Sequence, residues 1–288
     1  MTQAQIKEQQ FLDSDWDYCV VLDACRYDVF SDVYDEYLDG RLEKRRSPGS
    51  STPEWAFRTF TGSHDIAYFS GNPFINSTGI PLNELAWGAS CDYEWTANEH
   101  LGEIVDVWRE GWHEEFGTVT PEGMVRSFCE HADAVARRDR TVLHYMQPHA
   151  PYLTRETGGK LTRIKEGIAS QDDRDGDSDG TLSTVGNSLR PHVESVLGDS
   201  SFAMKAGLWM ELGLGNVLRE GTREAAMTYH ERNLRVALES VADLLPELDG
   251  SVVVTADHGE AFGEEGVWEH HIETYIPPLV EVPWLRVR

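Results

Sequence analysis

Two short apolar runs, YCVVLDA at 18–24 and SVVVTADHGE at 251–260, constrain the fold more than any other feature of the chain. β-Branched side chains pack well on a pleated surface, so each run is expected to be a buried strand. Both runs break off at an acid: Asp23 in the first, and Asp257 beside His258 in the second. In open α/β sheets, ligands bind at the carboxyl ends of strands, which makes these three side chains candidate chemistry. A plainer alternative is that Asp257 caps a following helix.

The rest of the chain alternates in the same manner. Apolar spacing predicts helices at 26–38, 121–138 and 223–245, and a helical segment running from the Ser, Pro and Gly cluster at 46–55 to FTG at 60–62. Further strands are expected at 65–73, stopped by Asn-Pro, and at 141–152, where a strand runs into a polar, proline-rich loop. Strands alternating with helices give an α/β chain, a three-layer α/β/α sandwich around a largely parallel central sheet. Its 288 residues suit a single catalytic domain over 1–288, with a polar insertion at about 153–202. Within that insertion Asp175, Asp177, Asp179 and Gly180 imitate the start of a calcium loop, but Gly186 stands where a bidentate glutamate is needed.

Charge narrows the partners. Fifty acidic against twenty-five basic residues give a net charge of −25, and only five of the basic residues are lysine. Such a surface repels nucleic acid and anionic membranes. It also repels itself unless salt screens it, which points to a protein adapted to a salty cytoplasm. Cys19, Cys25, Cys91 and Cys129 show no CxxC pairing and read as reduced, mostly buried thiols. The chain shows no basic-then-apolar leader pattern and no apolar run near the roughly 18 residues of a membrane span, so a cytoplasmic location is expected.

Asp23, Asp257 and His258 converge on one rim if their strands are neighbours, and the turn Ser50, Ser51, Thr52 brings hydroxyls to the same edge. Two carboxylates, an imidazole and a hydroxyl suit a divalent cation that also polarises an attacking oxygen. The loop QPHAPY adds His149, and VWEHH adds His270 and His271, available to a second metal, an anionic substrate or a leaving group. Oxygen-rich ligands with one histidine suit Mn²⁺, Mg²⁺ or Ca²⁺, whereas recruitment of His149 and His270 favours Zn²⁺.

With VVLDACRYD, SSTPEWAFRTFTG, HYMQPHAPY and VVVTADHGEAFGEEG in that order, nearly the whole chain resembles the sulfatase-like branch of the alkaline phosphatase superfamily, as a haloarchaeal-type sulfatase-like hydrolase. The resemblance implies an alkaline-phosphatase-like fold and a metal held by Asp23, Asp257 and His258. It also implies a hydroxyl nucleophile at the start of the helix that ends in FTG, with His149 and His270 facing the substrate. Counting back from Thr61 and Gly62 puts Thr52 at the nucleophile position, where it would also ligate the metal; aligning on Pro53 puts Ser51 there. The segment departs from the Cys-x-Pro-Ser-Arg of formylglycine sulfatases, and threonine cannot become formylglycine. In this respect the chain looks closer to phosphoglycerol and phosphoethanolamine transferases.

Other nucleophile classes fit poorly. A cysteine phosphatase needs arginine six positions after its cysteine, and Ser31 stands there relative to Cys25. An aspartate nucleophile needs Asp-x-Asp at the end of a strand, whereas DWDYC precedes one. The expected activity is metal-dependent hydrolysis of a small-molecule or glycan phosphate or sulfate ester through a covalent intermediate. His149 or His270 would protonate the leaving oxygen. Transfer to an acceptor alcohol, or a catalytically silent binding protein on the same fold, are the alternatives.

Overall fold

The computed structural model describes residues 6–85, 91–153 and 222–287. Beyond Leu153 the expected polar insertion, with its calcium-loop imitation, lies outside the described residues. In chain order the strands are β1 (Lys7–Glu8), β2 (Tyr18–Leu22), β3 (Gly40–Arg46), β4 (His64–Ser70), β5 (Leu101–Val105), β6 (Trp112–His113), β7 (Thr118–Val119), β8 (Arg140–Tyr145), β9 (Val252–Ala256), β10 (Ala261–Phe262), β11 (Trp268–Glu269) and β12 (Glu281–Val287).

Eight of these strands form one sheet in the order β1-β3-β12-β9-β2-β8-β4-β5. Pairs from β9 through β5 are parallel. β12 runs antiparallel to both of its neighbours, β9 and β3. The carboxyl ends of β2, β3, β4, β8 and β9 therefore reach the same rim. β6 with β7 and β10 with β11 make two small antiparallel hairpins.

Adjacent residues of a strand point to opposite faces, and β8 shows what covers each face of the sheet. The His144 ring meets Trp55 edge-on at 6.0 Å between centroids. Tyr145, on the other side, lies beside Ser240 of the long helix Thr222–Leu244. That helix packs with Tyr27–Val33 and Pro121–Glu130. The opposite layer is built around Phe11, whose ring makes edge contacts with Trp16, Trp55, Phe60 and Trp284 at 5.2–6.4 Å. Buried aromatic rings contribute large apolar area, and edge-to-face pairs add about 0.5–1.5 kcal/mol each.

Two strands escape the periodicity. β3 reads GRLEKRR, yet pairs along its length with β12. β12 carries Pro283 in its interior, the residue that usually argues against a strand. The expected helix at 26–38 is shorter, Tyr27–Val33 followed by a single 3₁₀ turn, Tyr34–Glu36. The cysteines are all free, but Cys129 is exposed and Cys91 half-buried, so only Cys19 and Cys25 fit the expectation of buried thiols. No helix among the described residues is long and apolar enough to cross a membrane.

Candidate active site

The rim positions come together as the strand order requires. β2 lies between β9 and β8, with Leu22 opposite Ala256 and Tyr145, so Asp23 and Asp257 emerge side by side. The next residue, Ala24, takes the left-handed conformation with φ +58°, a strained setting for a residue with a Cβ. Its N–H donates to Asp257 Oδ1 at 3.2 Å, and the N–H of His258 reaches the same oxygen at 2.8 Å. No helix follows Asp257, so the capping alternative is ruled out: the chain runs through Gly259 and Glu260 into β10. Gly259 passes so close to Pro278 that a Cβ there would lie 2.0 Å from the Pro278 carbonyl oxygen.

Thr52 enters from the far side of the rim. It opens the helix Thr52–Thr59, which Gln9 anchors by accepting from Trp55 Nε1 at 2.8 Å and donating to the Ala256 carbonyl at 2.7 Å. Glu54 Oε2 reaches back to the Ser50 N–H at 2.8 Å, satisfying a donor at the helix start. The result places Thr52 Oγ1 2.7 Å from Asp257 Oδ2 and 3.3 Å from His258 Nε2. Ser51 flanks the helix in extended conformation, and its buried Oγ has no hydrogen-bond partner among the described residues. Ser50 is occupied elsewhere, its Oγ lying 2.8 Å from Glu54 Oε2 and 2.7 Å from the His271 carbonyl.

The donor set fits a divalent cation. One ligand atom each from Asp23, Asp257 and His258 lie within 4.8 Å of one another, and all three residues are buried. Asp23 Oδ1 has no hydrogen-bond partner among the described residues and lies 3.6 Å from His258 Nε2. His258 Nδ1 is 2.8 Å from the Gly259 carbonyl, an acceptor only, so Nδ1 carries the proton and the Nε2 lone pair faces the two carboxylates. This is the tautomer that a metal-ligating imidazole adopts. Among the described residues neither aspartate is paired with a lysine or arginine. Burial and the neighbouring Asp257 push the Asp23 carboxyl well above its usual range. Burial also opposes the charge on Asp257, but His258, His144 and the Thr52 hydroxyl outweigh it and hold that carboxyl down. A divalent cation between the two carboxylates would compensate both charges.

A second cluster adjoins the first. Ligand atoms of His149, Glu260 and His270 also lie within 4.8 Å of one another. His270 Nδ1 is 3.3 Å from each Glu260 carboxylate oxygen. The His149 ring packs edge-on against His270 at 5.1 Å, and His270 packs against His258 at 4.4 Å, joining the two clusters. His271 faces outward and belongs to neither.

Three residues of the site were missed by the sequence reading. Asn72, read only as a strand stop after β4, donates Nδ2 to Asp23 Oδ2 at 2.7 Å and to Thr52 Oγ1 at 3.1 Å. Glu260 was hidden inside TADHGE, and His144 inside an apolar strand. The signals available were a polar residue at a strand's carboxyl end and an imidazole in a core run. Cys25, by contrast, is inert: burial first, then Asp28 and Asp257, push its thiol well above its usual range.

The fold has solved counterparts. The structure is similar to the soluble domain of lipooligosaccharide phosphoethanolamine transferase A from Neisseria meningitidis, with a TM-score of 0.52 at 11% identity over 94% of this chain and 75% of that one. It is also similar to the integral membrane protein lipooligosaccharide phosphoethanolamine transferase A from the same organism, with a TM-score of 0.50 at 11% identity over 100% of this chain. The present chain spans 48% of that membrane protein. No family model matches the chain, and no curated protein matches it in sequence. The likeness is one of fold: an α/β sandwich around a mostly parallel central sheet, shared with these two transferase structures.

Proposed function

We propose that the chain is a metal-dependent enzyme that cleaves a phosphate or sulfate ester through Thr52. One observation carries the reading: the Thr52 hydroxyl sits among Asp23, Asp257, His258 and Asn72 at the carboxyl rim, within hydrogen-bond reach of the last three. Thr52, Asp23, Asp257 and His258 would hold a divalent cation, which when bound lowers the pKa of the hydroxyl and neutralises charge on the transferring group.

The chain's own residues supply the rest. Asp257 Oδ2 accepts the Thr52 hydroxyl proton and so aims an oxygen lone pair outward. The Asn72 amide, a neutral donor on Oγ1, stabilises negative charge as that oxygen ionises. Attack in line forms a covalent threonine ester and breaks the bond to the leaving oxygen, which takes a proton from His149 or His270. Water or an acceptor alcohol then attacks the threonine ester, giving its proton to the histidine that protonated the leaving oxygen, while the proton taken up by Asp257 Oδ2 returns to Thr52. Zn²⁺ is favoured if His149, Glu260 and His270 take a second ion, and Mn²⁺ or Mg²⁺ if the oxygen-rich cluster acts alone.

Hydrolysis of a small-molecule or glycan ester is the first reading. Transfer to an acceptor is the second, favoured by the fold shared with phosphoethanolamine transferases. The test is turnover of a generic phosphodiester, phosphomonoester and sulfate ester with added Mn²⁺ or Zn²⁺, each with and without an acceptor alcohol. Release of the leaving group only in the presence of the alcohol marks a transferase. Absence of turnover with all three esters contradicts both readings and leaves a binding protein.

A further inference from the structure

His144 is fully buried in the middle of the sheet, where an apolar side chain would fill the same space without the cost of desolvating two ring nitrogens. Its Nδ1 lies 2.8 Å from the hydroxyl of Tyr68, also fully buried, on neighbouring β4. Its Nε2 has no hydrogen-bond partner among the described residues and lies 3.6 Å from Asp257 Oδ2.

The protons follow from this geometry. A tyrosine hydroxyl, which ordinarily ionises near pH 10, keeps its proton at neutral pH. The only hydrogen bond open to it among the described residues is to His144 Nδ1, so the hydroxyl donates and Nδ1 accepts. The reverse assignment would strand the phenol proton and set a ring lone pair against a carboxylate, losing on both counts. Nε2 therefore carries the proton and directs it at Asp257 Oδ2. At 3.6 Å this is an electrostatic contact rather than a full hydrogen bond. Trp55 and Tyr68, each edge-on at 6.0 Å, hold the ring in place.

Asp257 Oδ1 is already committed to two backbone N–H groups, of Ala24 and His258. Oδ2 is the oxygen left to face Thr52, and the His144 N–H is the donor beneath it. We propose that His144, locked in its tautomer by Tyr68, is the positioning residue for the metal-facing oxygen of Asp257. The proposal rests on the reading of Asp257 as a metal ligand. Outer partners of this kind change metal affinity by about 10–100-fold when removed.

The experiment is Mn²⁺ titration by calorimetry of the wild type and of His144→Leu, His144→Gln and Tyr68→Phe, with thermal melts of each protein after chelation. His144→Leu is expected to weaken Mn²⁺ binding about 10–100-fold while the chelated protein keeps a cooperative melt. His144→Gln, whose amide offers an N–H from about the same place, is expected to recover most of the affinity. Tyr68→Phe, which removes only the tautomer lock, should fall between. Should His144→Leu not fold, the comparison of His144→Gln and Tyr68→Phe with wild type stands in its place, and a loss confined to Tyr68→Phe supports the lock. Unchanged affinity in the folded variants overturns the proposal and leaves His144 as core packing. A wild type that binds no divalent ion overturns it together with the ligand reading, and is told apart because the wild type itself fails.

Discussion

Thr52 Oγ1 and Asp257 Oδ2, 205 positions apart in the chain, lie 2.7 Å apart at the carboxyl rim of the sheet. The contact requires β9 to emerge beside β2, and it requires Gln9 and Glu54 to hold the first turn of the Thr52–Thr59 helix against that rim. A hydroxyl brought this close to a buried carboxylate pair is the relationship on which the functional reading depends.

Asp257→Asn removes one of two like charges buried next to each other. It should weaken divalent-metal binding by more than about 100-fold, beyond the loss of an outer partner, and abolish turnover. The chelated protein should lose only modest stability, because the asparagine carbonyl can still accept from the Ala24 and His258 N–H groups. Calorimetric titration and melts of the chelated protein check both halves. Wild-type metal affinity in the variant would remove Asp257 from the ligand set.

The second cluster predicts stoichiometry. Zn²⁺ titration should saturate at about two ions per chain in the wild type and about one in Glu260→Gln or His270→Ala, given the two three-residue donor sets. One ion in all three proteins would assign His149 and His270 to proton transfer alone.

Glu54 gives a pH signature. Burial opposes its charge, but donors from Tyr275, Ser50 and the Glu273 backbone more than offset this, and its carboxyl is held below its ordinary value. A carboxylate depressed in the folded state stabilises above its unfolded pKa, about 4.3, and loses that contribution as pH falls through the lower folded value. Glu54→Gln should therefore be less stable than wild type at pH 7, with the gap narrowing below about pH 4. Urea unfolding at pH 7 and pH 3 measures it. A gap that stays constant with pH would mean that Glu54 contributes by shape rather than charge.

The net charge of −25 leads us to propose adaptation to high salt. Melting temperature should rise steeply between dilute buffer and molar potassium chloride, as carboxylate repulsion is screened. A salt-insensitive melt would remove that proposal and leave the site untouched.

What could be read from the chain alone was the part with a local cause. β-Branched runs ending in polar residues located β2, β9 and the side chains Asp23, Asp257 and His258, because strand pattern and rim position are both written in consecutive residues. β3 stayed hidden because its arginines and lysine spread their stems over neighbours rather than into the core pattern: Arg45 lies 4.1 Å over the Trp284 ring, and Lys44 pairs with Glu281. β12 stayed hidden behind Pro283. Ser51 and Thr52 differ by one position, and only the helix start, fixed by the bond from Trp55 to distant Gln9, decides which hydroxyl meets Asp257. Asn72 and His144 act through contacts 20 to 113 residues away, which no spacing rule encodes.

Intact mass spectrometry after rapid acid quench, with fragmentation to place the adduct, tests the central claim most directly. With a turned-over ester, the account predicts a phosphate or sulfate adduct on Thr52 that is absent in Thr52→Ala, with a rate loss of several orders of magnitude, and present in Ser51→Ala at nearly full rate. An adduct on Ser51 or Cys25, a formylglycine at Ser51, or full turnover by Thr52→Ala would contradict it.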